Sequence, residues 1–243
     1  MFSHGQHFGF EIPESLYVKS CNTIIEVLKD RSAATPGSEI HLNKAIVETL
    51  TEITEVGFQA YYEKPRDLVS MSPVIKKAAD AGINAVRKGV QIVIKKVFTR
   101  TPLSELQVLA RYMSDRLTYD ENTSGTRYFI TFPLTDELFE LSQRLLSRVR
   151  EDSNVEEYRK DIINSLIDLI DAGVGAYYHE PVNMISLGKL TRKTADVGIS
   201  TAQKGSNAVV NRLFKVMPHE EMIPLSAYFE SLLHNELRPS NAA

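Results

Sequence analysis

The sequence predicts an all-α protein of eight helices, arranged as two tandem four-helix repeats related by a pseudo-two-fold axis. Two observations predict this: the chain repeats itself, and its apolar residues recur at three- and four-residue spacing over most of its length. Shifted by 116 positions, Ala60-Tyr61-Tyr62-Glu63-Lys64-Pro65 falls on Ala176-Tyr177-Tyr178-His179-Glu180-Pro181, and Ala79-Asp80-Ala81-Gly82-Ile83 falls on Ala195-Asp196-Val197-Gly198-Ile199. From Ile46 to Met113, 21 of 68 ungapped positions are identical, where average residue usage gives about 4 by chance. A unit this long, present twice, is a duplication rather than a solenoid. The units are read as 1–118 and 128–243, joined by a polar linker at 119–127.

The helices of the first copy are expected at about 14–30, 39–63, 73–98 and 102–117. In the second, Leu42, Ile46, Leu50, Ile53 and Gly57 form one face, and Pro65 is expected to stop the helix. Ser72-Pro73 and Thr101-Pro102 read as starts of the third and fourth. The second copy repeats the set at about 134–150, 154–179, 184–216 and 219–236. Strand-like alternation is confined to Phe8–Ile12 and Arg127–Phe132, which align at an offset of 120 and suggest one short two-stranded ribbon. That offset makes the second copy shorter between its first two helices, with Ser32–Glu39 the longer loop.

The third helix of each copy carries two patterns. Small residues at Ala78, Gly82, Ala85 and Gly89 follow a heptad seam, and Gly198 and Gly205 match it in the second copy. Mid-helix glycine costs roughly 1 kcal/mol relative to Ala, so a close helix–helix crossing is expected on this stripe, either between the two long helices or with a partner chain. The second pattern is charge. Residues 66–100 hold eight Lys/Arg and two Asp, and residues 182–216 hold six Lys/Arg and one Asp. With a whole-chain charge of −3, the remainder carries −14. Lys77, Lys88 and Lys95 share one line of the helical wheel, and Lys193 and Lys204 take the matching line.

Composition narrows the function classes. A pI near 6.1 and the lack of aromatic residues among the lysines argue against nucleic acid. The single cysteine, Cys21, excludes an internal disulfide framework and fits a reducing compartment; with no signal-peptide pattern and no long apolar run, a cytoplasmic protein is expected. Zinc, phosphate-loop, hydrolase and di-iron signatures are absent, so no catalytic residue, metal or cofactor is assigned. The leading expectation is a non-enzymatic binding or scaffold protein, using basic helix faces toward an anionic partner or small-residue stripes toward another helix. The competing one is a ligand-binding or enzymatic protein with a pocket between the repeats, lined by Tyr61, Tyr62, Tyr177 and Tyr178, whose apolar bodies and polar tips suit a small molecule. A third is peripheral binding to an anionic membrane surface. Whether the copies pack within one chain or exchange in a homodimer stays open.

Overall fold

A computed structural model describes residues 5–29, 38–71, 73–99, 101–123, 125–240 and 242. The chain is mostly helical, as expected, but the all-α reading needs correction: the described residues include a five-stranded antiparallel sheet in the order β4-β1-β3-β2-β5. β1 is His7–Ile12, β2 Leu117–Asn122, β3 Gly125–Pro133, β4 Leu233–His234 and β5 Arg238–Pro239. The expected ribbon is real, with Phe8 opposite Phe132, Phe10 opposite Ile130 and Ile12 opposite Tyr128. It forms only the centre of the sheet.

The segment read as a linker is the β2–β3 hairpin, with Asn122 opposite Gly125. Its composition is polar because β2 lies toward one side of the sheet, exposed at Glu121 and Asn122 while Leu117 and Thr118 are buried. Gly125 takes a φ of 126°, which a side chain resists.

β1 and β3 approach most closely where Gly9 faces Thr131. Neither amide bonds across this pair. Gly9 N–H donates to the Leu232 carbonyl and Thr131 N–H to the Arg116 carbonyl, each at 2.9 Å. Such a non-hydrogen-bonded pair brings Cα atoms nearest. A Cβ on Gly9 would stand 2.3 Å from the Ile130 oxygen and 2.5 Å from Thr131 Cγ2.

Among the described residues, eight principal helices accompany the sheet: α1 Glu14–Leu28, α2 Ser38–Phe58, α3 Pro73–Phe98, α4 Leu103–Ser114, α5 Asp136–Glu151, α6 Arg159–Val174, α7 Lys189–Val216 and α8 His219–Glu230. The loop expected at Ser32–Glu39 lies mostly outside the described residues, as does Ser72. Phe8, Phe10, Ile12, Ile130 and Phe132 join one core with Leu16, Ile24, Ile46, Leu145, Ile162 and Leu166 from the helices. α1 packs on α2 and α4, α5 on α6 and α8, α2 on α3, and α6 on α7.

Pro65 does not end the second helix. α2 runs on through a π-helical turn, Gln59–Glu63, into the short helix Lys64–Asp67; α6 does the same through Gly175–His179 into Glu180–Asn183. Each proline sits in the first turn of the short helix, where a missing N–H costs least.

The two long helices α3 and α7 do pack on each other. The small stripe is not their contact: a Cβ at Gly82, Gly89, Gly198 or Gly205 would meet nothing within 4 Å, and Ala85 is exposed. The side chain of Ala78 lies outside the described residues. Larger apolar groups meet instead, with Val93 of α3 in one cluster with Ala195 and Ile199 of α7.

Two substitutions test this reading. Gly9→Ala is expected to cost at least ~3 kcal/mol, the upper range of overpacking, because backbone must move. Gly82→Ala is expected to raise stability by roughly 1 kcal/mol, the helix-propensity gain with no clash. Urea melts of the two variants against the parent chain measure both.

Candidate functional site

Each π turn has a structural cause and a structural partner. A π turn breaks the regular i→i−4 ladder and leaves a carbonyl to satisfy. The Ala60 carbonyl receives the Tyr228 hydroxyl at 2.7 Å, and the Ala176 carbonyl lies 2.7 Å from the Tyr112 hydroxyl. The donor comes each time from the other half of the chain. Ser70 N–H to Glu221 (3.2 Å) and Ser186 N–H to Glu105 (3.0 Å) cross in the same way.

The four tyrosines expected to line one pocket divide into two pairs. Tyr61 packs on Phe8 and Phe10, with centroids at 5.7 and 5.2 Å, and Tyr177 packs on Phe132 at 5.3 Å. Their hydroxyl oxygens are shielded from solvent and interact with each other. Burial, first of all, raises both hydroxyls well above the usual tyrosine range. Tyr62 and Tyr178 point instead to the long helices, Tyr178 buried there with Val182 and Ala195, and donate to Asp80 (3.0 Å) and Asp196 (2.8 Å). Burial, reinforced by the Asp80 carboxylate, pushes Tyr62 up to about 12. Asp80 is held low by the Arg66 guanidinium at 2.9 Å and then by Tyr62. These tyrosines therefore stay protonated near neutral pH and act as hydrogen-bond donors, not as bases.

A cleft of about 100 Å³ opens beside this corner, lined by Phe10, Glu11, Gln59, Lys64, Arg127 and His234 among others. None of the four tyrosines lines it. Ligand pockets run from roughly 300 to 1,000 Å³. The adjoining depression of about 350 Å³ is wider and more open to solvent. In the second half, the position matching Lys64 is Glu180, which joins Tyr112 at 2.7 Å and Arg116 at 3.4 Å, with Arg116 stacked 4.2 Å over the Tyr112 ring.

Three acidic residues of α2 and α6 have partners within the chain. Glu52 meets Lys19 at 2.5 Å, Glu55 meets Arg87 at 3.0 Å, and Asp171 accepts from Gln203 at 2.7 Å. Among the described residues, no group of three or more His, Cys, Asp or Glu is placed to hold a metal ion. Cys21 packs against the core, and burial raises its thiol.

The basic rows stand on the outer helices. Lys77, Lys88 and Lys95 on α3, and Lys193 and Lys204 on α7, are all exposed. The inward half of α3 is marked by Asp80, Arg87 and Gln91, which bond residues of α2 and its extension, and by Val93 toward α7. At about 100° per residue, Lys77, Lys88, Lys95, Gly82, Gly89 and Ile92 fall in the opposite half. Ile92 (52%), Val197 (59%) and Val216 (77%) are large apolar side chains left in solvent on these two helices. No described helix is long and apolar enough to cross a membrane.

Sequence reasoning singled out the tyrosine corners and the lysine rows. It missed the reciprocal tyrosine bonds, although Tyr112 and Tyr228 align at the 116-residue spacing. Nothing local marks the cleft, because its lining is gathered from four separate segments. Compared with known proteins, the chain matches no family model, no curated protein and no solved structure.

Two expectations follow. Tyr228→Phe leaves the π-turn carbonyl unpaired and is expected to cost roughly 1–3 kcal/mol in a denaturant melt. His7 and His234 are opposite neighbours on β1 and β4, and burial lowers both from the ordinary 6.5. Below about 6.5 the unfolded chain takes up protons that the folded chain refuses. Stability is therefore expected to fall as pH drops from 6.5 through the folded values, with a shallower fall in the His7→Gln, His234→Gln double variant.

Proposed function

We propose that this protein is a non-enzymatic binding or scaffold protein whose working surface is the exposed outer side of α3 and α7, and that its partner is anionic. The observation that carries this reading is the segregation of charge. The two segments holding these helices carry +6 and +5 while the rest of the chain carries −14, and the five lysines of the rows are solvent-exposed. A molecule polarised in this way turns its basic side toward negative charge during encounter. The tyrosine corners are read as structural, since the Tyr62 and Tyr178 hydroxyls are tied to Asp80 and Asp196.

We further propose that the chain arose by duplication and that its halves are related by a pseudo-two-fold axis through Gly9 and Thr131. The recurrence of contacts supports this. Gly57 lies under Phe10 and Gly173 under Phe132, each with a Cβ position 3.3 Å from the ring. Tyr61 meets Phe10, and Tyr177 meets Phe132, edge-on. On this reading the strand offset is 122, two more than the sequence alignment gave. A cytoplasmic setting fits the lone cysteine.

The test is retention on an immobilised polyanion such as heparin. The parent chain is expected to bind and to elute with moderate salt. The triple variant Lys77→Glu, Lys88→Glu, Lys204→Glu is expected to pass through with its melting curve unchanged. Equal behaviour of the two proteins overturns the reading.

A further inference from the structure

We infer that the anionic partner is a lipid bilayer, so that the protein is a peripheral membrane protein lying with α3 and α7 along the headgroup plane. The inference rests on the anionic-partner reading above and narrows it. Three features of the exposed helix faces select a bilayer over other polyanions.

The first is extent. α3 has 26 residues and α7 has 28, so at 1.5 Å per residue each is about 40 Å long. Packed on each other, they offer a long surface two helices wide, with lysines spaced along it at 77, 88 and 95 and at 193 and 204. A bilayer accepts contact along all of it.

The second feature is the apolar component. Ile92 lies between Lys88 and Lys95 along the same exposed side, and Val197 between Lys193 and Lys204. Both are more than half exposed. A nucleic-acid backbone or a sulfated polysaccharide gains nothing from these side chains. At a bilayer they enter the interface while the lysine stems extend to the phosphates, the usual arrangement of an interfacial helix.

The third is relief. Gly82, Ala85, Gly89, Gly198 and Gly205 are open to solvent on these same helices. With no side chain standing up at those positions, the helix backbone comes close to the plane and the lysines overreach it. A second copy of the chain is a poorer occupant. Two-fold pairing of these faces sets lysine rows against lysine rows, and like charges facing each other oppose association.

The experiment is flotation of the intact protein with vesicles of pure phosphatidylcholine and of equal parts phosphatidylcholine and phosphatidylserine. Binding is expected to the mixed vesicles alone and to disappear in high salt. Each neutralised lysine near a charged surface is expected to lower partitioning about fivefold, so Lys88→Gln, Lys204→Gln together lower it about 25-fold. Ile92→Ser, Val197→Ser is expected to weaken vesicle binding while leaving heparin retention unchanged. Circular dichroism melts confirm that each variant is folded. Heparin retention without binding to mixed vesicles overturns the lipid inference and leaves the anionic-partner reading standing. So does vesicle binding indifferent to Ile92 and Val197, which reduces the contact to charge alone. Failure to bind either surface overturns both.

Discussion

The close approach of β1 and β3 at Gly9 and Thr131 is the constraint on which the rest of the structure depends. Thr131 is fully buried, and its side chain fills the space that a side chain on Gly9 would need. The outward-facing amides of the pair reach to Leu232 and Arg116, which fixes the start of β4 and β2 beside them. On the opposite face, Phe10 and Phe132 project into the core and pack over Gly57 and Gly173. The positions of α2 and α6, and through them the long helices, follow from that pair of ring-over-glycine contacts.

Polar bonding adds specificity to this apolar frame. The π turns would leave carbonyls unpaired if the tyrosine of the opposite half were absent, and an unpaired buried carbonyl costs more than a good hydrogen bond contributes. Ser142 and Ser165 bond at 2.8 Å inside the second half, and Thr23 and Thr49 at 3.1 Å inside the first. These are small groups bonded to each other between packed helices. They favour one helix register over its neighbours in a way that leucine contacts alone do not.

Much of the helical part was legible because it is periodic. α5 is the clearest case, with Phe139, Leu145, Leu146 and Val149 buried at helical spacing and Thr135 capping Leu138 N–H at 3.2 Å. The sheet was half legible. β1 and β3 alternate strongly, but β4 and β5 have two residues each, too few to show a period. The 119–127 segment read as a linker because Asp120, Glu121 and Asn122 are polar, whereas pairing with β3 makes them a strand. Pro65 and Pro181 read as stops because a π turn has no sequence signature of its own. The small stripe of α3 and α7 was found in sequence, but the two long helices do not cross on it; within this chain a Cβ on its glycines would meet nothing within 4 Å. Spacing reveals which residues share a face, and only the fold decides whether that face meets protein or solvent.

The reciprocal tyrosine bonds bear on ancestry. Tyr112 of the first half reaches Ala176 of the second, and Tyr228 of the second reaches Ala60 of the first. A single ancestral unit carrying this tyrosine and this π turn could not have closed on itself in the same way. It would have satisfied its carbonyl through an identical neighbour, as an isologous dimer does. On the proposed duplication, fusion would have made that neighbour permanent and released the two units from having to be alike. Lys64 and Glu180 would mark that release: Lys64 lines the cleft, whereas Glu180 meets Arg116 and Tyr112.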